Sequence, residues 1–381
     1  MVSDSLQITF ISNTPIQKAR GGWDGLGGKV YELLKKRFPT TRLIEELNPE
    51  ISFSSKFLSK AFRVIGLKGS FPVFNKSRLR HVADLVSRKV QNESNFLFFH
   101  GATPWIYVET NRPYCAMLDC CFMTYMSIYH KIDLFSKSDL RRIAEREKSF
   151  LEKAHSVFFT TQWALEETRK LYQLSGNNFM RVGQGPSTPT EPNQQLTDLV
   201  RNQFLFIGTD FLGKGGAAVC NSFQKLLKDY PDYELVIVGQ TPPDSYLQGK
   251  NIRFLGFINK STPEGLKQLE QLYKESKALV MQTKKDIAPL VVIEAGLQGC
   301  ITIANKVTAL GEMIIDQKTG YLIESDEDQL LDEMKKVASL SPEGLKDMRT
   351  AARTHLIKEF TWQPIMEKMI ASIQQPVLNS K

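Results

Sequence analysis

The chain has 381 residues, 42% hydrophobic and 24% charged, with a formal net charge of +8. That length gives room for two domains, each able to bury its own core, and the composition excludes a disordered or fibrous chain. No run approaches the ~18 apolar residues of a membrane span, and Met1-Val-Ser-Asp-Ser5 lacks a basic region ahead of an apolar core, so neither an integral membrane protein nor a secreted one is expected.

Gln7-Ile-Thr-Phe-Ile-Ser12 reads as a buried strand, Gly21-Gly-Trp-Asp-Gly-Leu-Gly-Gly28 as a glycine-rich loop, and Val30 to Phe38 as an amphipathic helix. Strand, glycine loop and helix open a nucleotide-binding α/β unit. The glycines fit Gly-x-Gly-x-x-Gly in no register, which disfavours a dinucleotide dehydrogenase and leaves a flexible surface turn as the plain alternative. Residues 51–90 hold nine Lys/Arg (56, 60, 63, 68, 76, 78, 80, 88, 89) against Asp84 alone, so this stretch accounts for the whole net charge. It reads either as a solvated basic face or as a surface for an anionic membrane; no nucleic-acid recognition motif accompanies it.

Asn95-Phe-Leu-Phe-Phe-His100 and Pro113-Tyr-Cys-Ala-Met-Leu-Asp119 are the next strands, each with a polar residue at its C-terminal tip. Ligand crevices of open α/β sheets lie at such tips, which makes His100 and Asp119 candidate site residues, with Asp119 ranked first. A lone His after a strand also serves as a loop hydrogen-bonder. Cys120-Cys121 are adjacent, and the five cysteines form no Cys-x2-Cys pair, which points to thiols as core filler in a reducing cytoplasm. Phe122 to Tyr129 with His130 is aromatic-rich, for core packing or an acceptor. Ser138 to Lys153 is a charged helix, Ala154 to Trp163 a strand then a loop, and Met180 to Gly185 a closing strand.

Ser187-Thr-Pro-Thr-Glu-Pro-Asn-Gln-Gln195 is the best linker, and a second α/β unit begins at once with the strand Gln203 to Gly208. Gly208-x4-Gly213-Lys214 nearly spells a P-loop. Against it, Gly215 replaces the Ser/Thr that would hold Mg²⁺, and the strand Glu234 to Gly239 ends without a metal-binding Asp. The apolar run Ala278-Leu-Val-Met281 reads as a central strand, followed by a loop with Asp286 and a helix from Pro289 to a stop at Gly299. The Leu290 and Val291 amides then stand at a helix N-terminus, a seat for phosphate. Glu294 lies inside this apolar helix: a Glu on a solvated face, a cap for a neighbouring loop, or a ligand contact. Ser325-Asp-Glu-Asp328 is capping chemistry at a helix start, and no metal site is read there.

Asp286, Leu290, Glu294, Ala295 and Gly299 fall in register with a family block, Glu-x-Phe-Gly-Leu-x-x-x-Glu-Ala followed by Gly. The chain thereby resembles the retaining family-4 glycosyltransferases, the group 1 glycosyl transferases of GT-B fold. The match extends through Gly208 to Lys214, where Thr209 stands in the place of the family's Arg, and Pro289 stands where Gly is usual. Asn251 to Phe257, Gly311 to Asp316, Lys318 to Leu322 and the terminal Phe360 to Ile370 match further landmarks.

The resemblance implies an α/β fold of two Rossmann-like domains facing each other across a cleft. They are expected at 1–188 for the acceptor and 199–358 for the nucleotide sugar, with 359–381 returning to the first. It implies that Asp286 contacts the donor's sugar, Glu294 the ribose, and Lys214, Gly21, Gly22, Leu290 and Val291 the diphosphate. It further implies retaining transfer from a nucleotide-sugar donor to a glycan or lipid-linked acceptor, with no metal or other cofactor. The enzyme is expected in the cytoplasm, docked peripherally if residues 51–90 meet membrane. The rivals are a P-loop-like phosphotransferase, a GT-B-shaped binding protein without turnover, and a GT-B phosphorylase, for which no cofactor lysine is recognisable.

Overall fold

A computed structural model describes residues 6–16, 21–49, 68, 71–90, 92, 94–188, 195–197 and 199–375. Part of the expected basic surface at 51–90, with Lys56, Lys60 and Arg63, lies outside the described residues, while Lys68, Lys76, Arg78, Arg80, Arg88 and Lys89 lie within them. The chain forms two compact units, Met1–Gly183 with Met366–Lys381, and Gln184–Ile365. The first division thus falls ahead of the expected 188, and the second falls inside the last helix rather than before it.

In the first unit β1 (Ile8–Ile11), β2 (Arg42–Ile44), β3 (Phe96–His100), β4 (Tyr114–Leu118), β5 (Ser156–Phe159) and β6 (Phe179–Arg181) form a parallel sheet, ordered β2-β1-β3-β4-β5-β6. Strands β1, β3, β4 and β5 are buried along their whole length, as unbroken apolar runs are when both sheet faces are covered. The helices are α1 (Gly22–Arg37), α2 (Lys76–Lys89), α3 (Phe122–Tyr129), α4 (Lys137–Glu152) and α5 (Gln162–Tyr172). Because side chains alternate along a strand, Leu97, Phe99, Ala116 and Leu118 pack with α2 and α4. On the other face Phe10 stacks on Phe98 at 4.9 Å and meets Tyr31 of α1 at 5.8 Å.

One expected loop is corrected. The glycine run belongs to α1: Gly21 is its extended N-cap and the helix begins at Gly22. A helical Gly costs up to ~1 kcal/mol relative to Ala. Packing overrides that cost, since Leu26, Val30 and Leu34 form a buried stripe. A Cβ on Gly27 would also lie 2.7 Å from the His100 ring, so the helix needs a glycine to reach the sheet there.

The second unit repeats the plan with β7 (Arg201–Gly208), β8 (Glu234–Gly239), β9 (Ile252–Phe254), β10 (Ser276–Met281), β11 (Ile301–Asn305) and β12 (Gly320–Ile323), ordered β12-β11-β10-β7-β8-β9. Its helices are α6 (Gly216–Leu226), α7 (Asp244–Leu247), α8 (Pro263–Glu275), α9 (Leu290–Leu297), α10 (Leu310–Met313), α11 (Glu327–Ser339), α12 (Pro342–Glu359) and α13 (Trp362–Ile373), the last crossing the division between units. Phe204, Phe206, Ala278, Val280, Ile301 and Ile303 face α6 and α11. Leu205, Leu279, Met281 and Ala304 face α8 and α9. The cap expected near Ser325 is Asp326, whose Oδ1 accepts from the Asp328 amide at 2.8 Å. In each unit the first strand lies inside the sheet and the chain winds out to both sides. The β1/β3 and β7/β10 crevices are therefore the topological switch points, where such sheets bind ligands.

Candidate functional site

At the β7/β10 crevice the chain leaves β7 at Gly208 and turns through residues 209–215 into α6. A Cβ on Gly208 would lie 3.1 Å from Lys214 Cγ, so the lysine stem lies over the strand tip. Gly215 has φ +81°, and a Cβ there would fall 2.4 Å from the Gln282 carbonyl oxygen; only glycine lets α6 begin against the end of β10. Lys214 and Asp286, from adjacent crossovers, form an ion pair. Both are partly buried, the side chains 28% and 14% exposed, so the pair remains open to a ligand.

The loop itself is closed to phosphate. Phe211 N donates to Gln240 Oε1, Gly213 N to Asp210 Oδ1, Lys214 N to Asp210 O, Gly215 N to Leu212 O and Gly216 N to Phe211 O, all at 2.7–3.1 Å. A P-loop keeps such amides for its ligand.

The loop between β10 and α9 is braced from several sides. Asn305 Nδ2 donates to Thr283 O at 3.0 Å, Thr308 Oγ1 to Asp286 O at 2.5 Å, and Gln184 Nε2 to Ala288 O at 2.8 Å. Pro289 proves to be the N-cap rather than the first helical residue, and the helix starts at Leu290. Val292 N turns back to Pro289 O at 3.1 Å, while the Leu290 and Val291 amides have no backbone acceptor among the described residues. Those two donors carry the positive end of α9.

Glu294 is fully buried. Its Oε1 accepts from Ser187 N at 3.2 Å, and its Oε2 from Lys260 Nζ at 2.5 Å and Tyr273 OH at 3.0 Å. It therefore does cap a neighbouring loop, and Lys260 neutralises it inside the apolar helix. Burial, reinforced by Glu294, pushes the Tyr273 hydroxyl well above its usual range, so it stays a donor. Lys260 was not singled out from sequence, because its partner is supplied only by the fold.

In the first unit His100 closes β3 at the β1/β3 switch point. It is 1% exposed and stacks on Trp23 of α1 at 4.3 Å. Neither ring nitrogen has a side-chain or well-formed backbone partner among the described residues. Burial depresses its pKa to about 3, so the ring is neutral and suited to shape rather than proton transfer. Beside it Thr14 Oγ1 donates to Asp24 Oδ1 at 2.7 Å. Gly21 and Gly22 stand at the start of the same helix, where Gly22 has φ +59°. Asp119 follows the tip of β4 and is half-buried. The neighbouring Cys120 and Cys121 thiols are pushed up by burial and remain protonated.

Sequence reasoning missed Glu147. It lies fully buried on α4, accepting from Thr103 Oγ1 at 2.5 Å, Phe122 N at 2.7 Å and Tyr172 OH at 2.6 Å. Its pKa is raised by burial, with the three donors opposing. It thereby ties the loop that follows His100 and the loop that carries Asp119 to α5. Among the described residues no group of three or more His, Cys, Asp or Glu could hold a metal, and no helix is long and apolar enough to cross a membrane.

Residues 187–355 match the family model described as glycosyl transferases group 1. An uncharacterized 41.2 kDa protein in the cps region of Klebsiella pneumoniae is 28% identical over 133 residues, 34% of this chain and 35% of that protein. A phosphatidyl-myo-inositol mannosyltransferase of Mycobacterium tuberculosis is 23% identical over 176 residues, 44% of this chain and 45% of that protein. The matched region thus spans less than half the length of these relatives.

Several solved structures match nearly end to end. Sucrose-phosphate synthase from Thermosynechococcus elongatus has a TM-score of 0.71 at 15% identity, covering 97% of this chain and 98% of that one. Anabaena HepE in complex with UDP has 0.67 at 13%, covering 97% and 99%. WaaG, a glycosyltransferase involved in lipopolysaccharide biosynthesis, has 0.66 at 15%, covering 96% and 98%. The chain accordingly has the α/β fold of GT-B glycosyltransferases, and its second unit carries the match to the group 1 family model.

Proposed function

We propose that the protein is a retaining glycosyltransferase that moves a sugar from a nucleotide-sugar donor to a glycan or lipid-linked acceptor. The observation that carries the reading is the Lys214–Asp286 pair at the β7/β10 switch point, beside the unspent amides of Leu290 and Val291. A cation and a helix N-terminus suit a diphosphate, and a carboxylate suits sugar hydroxyls. Without ligand the two charges neutralise each other. A nucleotide sugar separates them, its diphosphate drawing Lys214 and its sugar engaging Asp286.

As the glycosidic bond breaks, negative charge grows on the departing diphosphate. Lys214 and the start of α9 stabilise it from fixed positions, which is where electrostatic catalysis is most effective. The family resemblance adds attack from the leaving group's side, with the departing phosphate taking the acceptor's proton. This route needs neither a protein nucleophile nor a metal. In it Glu294 holds the ribose, exchanging part of its contact with Lys260 and Tyr273. The first unit, with Asp119 ahead of the neutral His100, takes the acceptor.

A second reading, a GT-B-shaped binding protein without turnover, is favoured by the saturation of Glu294 and by Thr209 in place of a cation. A P-loop phosphotransferase is opposed by the amides of residues 211 and 213–216, which already have acceptors within the protein.

The test is a thermal-shift panel of UDP, GDP, ADP, TDP and their sugar conjugates, followed by donor hydrolysis with whichever conjugate binds. HepE was solved with UDP and with UDP-glucose, which makes these the first probes. A specific ligand at 100-fold saturation stabilises by about 2.7 kcal/mol. Binding with hydrolysis or transfer supports the enzyme, binding alone supports the second reading, and no shift with any of them removes both.

A further inference from the structure

Gln282 stands one residue past Met281, at the tip of β10. It continues the alternation of Ala278 and Val280, which places it on the sheet face covered by α6. It is 6% exposed, and its Nε2 has no hydrogen-bond partner among the described residues. A Cβ on Gly215 would lie 2.7 Å from Gln282 Cβ, so the first turn of α6 rests on this side chain. The parallel register pairs Met281 with Ala304, which brings Asn305 into step beside Gln282. Asn305 spends Nδ2 on Thr283 O and Ser325 Oγ, and its Oδ1 has no partner among the described residues. A donor and an acceptor thus stand at adjacent strand tips without satisfying each other.

A buried donor without an acceptor costs folding free energy, and an apolar side chain of similar shape would avoid that cost. The cost falls at the switch point, four residues before Asp286 and under the helix turn that follows Lys214. A ligand that brings its own acceptor accounts for it. The surroundings choose an anionic one, because Lys214 favours negative charge once a ligand draws it from Asp286.

We propose that Gln282 is a ligand-contacting residue whose Nε2 donates to a phosphate oxygen of the nucleotide-sugar donor, alongside Lys214. This rests on the donor-binding reading above. The test is calorimetric titration of UDP, GDP, ADP and TDP, and of the matching nucleosides, into wild type, Gln282→Met, Gln282→Glu and Lys214→Ala, with the melting temperature of each variant.

Gln282→Met removes an unpaired donor, so its melting temperature stays level or rises. Its affinity for the bound diphosphate falls about tenfold while that for the nucleoside is unchanged. Gln282→Glu sets a carboxylate against the phosphate and loses more. Diphosphate affinity in Gln282→Met within roughly twofold of wild type, with Lys214→Ala impaired, overturns this assignment and leaves the donor reading standing. A melting temperature that drops in step with affinity makes Gln282 a structural residue and overturns it as well. A wild type that binds none of the four diphosphates removes the donor reading and this proposal together.

Discussion

Replacing His100 with Phe should remove a pH-dependent loss of stability. The ring is 1% exposed, stacked on Trp23 and packed against Gly27, and burial depresses its pKa to about 3 against an ordinary value of 6.5. Between these values the unfolded chain binds a proton that the native protein refuses. The native state is therefore penalised as pH falls below about 6.5, and the penalty grows until about pH 3. Each pH unit in that window is worth about 1.4 kcal/mol, so going from pH 7 to pH 5 costs about 2 kcal/mol. Phe keeps the stack on Trp23 and cannot titrate. Urea unfolding of wild type and His100→Phe at pH 7 and pH 5 measures the effect as a difference of differences, in which all other titrating groups cancel, Glu147 with its raised pKa among them. The variant should gain about 2 kcal/mol on wild type over that interval. An equal pH dependence in the two proteins would refute the account of His100 as a buried neutral ring.

Glu147→Ala leaves the Thr103 and Tyr172 hydroxyls and the Phe122 amide without their acceptor, and should cost about 3 kcal/mol or more in urea unfolding, with Glu147→Gln costing less. Lys214→Ala should weaken nucleoside diphosphate binding by roughly ten- to a hundredfold in calorimetry and leave the fold intact, since Asp286 is partly exposed and can be solvated. Unchanged affinity in that variant would remove Lys214 from the site.

The strands were legible because both sheets are covered on both faces, so runs such as Phe96 to Phe99 and Ala278 to Met281 are apolar throughout. The caps were legible because their chemistry is local, as at Asp326. The glycine run of α1 was not, because a helix built over His100 needs small residues, and glycines are ambiguous without the ring they pack on. Glu147 hid in a string of alternating charges. Its period gives it away in retrospect, since it falls on the stripe of Leu140, Ile143, Phe150 and Leu151 that α4 buries. Asp286 and Lys214 were marked by the family resemblance, and the start of α9 by the apolar strand and the proline that follows it; the fold brings the two charged groups together. Lys260 and Gln282 depend on segments distant in sequence, and no local pattern marks them. For Glu294 the sequence left a loop cap and a ligand contact both open; the bond to Ser187 N supplies the cap.

The central claim, that this site holds a nucleotide sugar, is tested most directly by separating its two carboxylates. Calorimetric titration of a nucleoside diphosphate and of its sugar conjugate into wild type, Asp286→Asn and Glu294→Gln gives the comparison. Asp286→Asn should bind the bare diphosphate at least as tightly as wild type, because Lys214 loses its internal partner. The same variant should lose the advantage of the sugar conjugate, by roughly tenfold or more, together with transfer or donor hydrolysis. Glu294→Gln should weaken both ligands alike, because both carry the ribose. Identical behaviour of the three proteins toward both ligands would contradict the site and the function proposed for it.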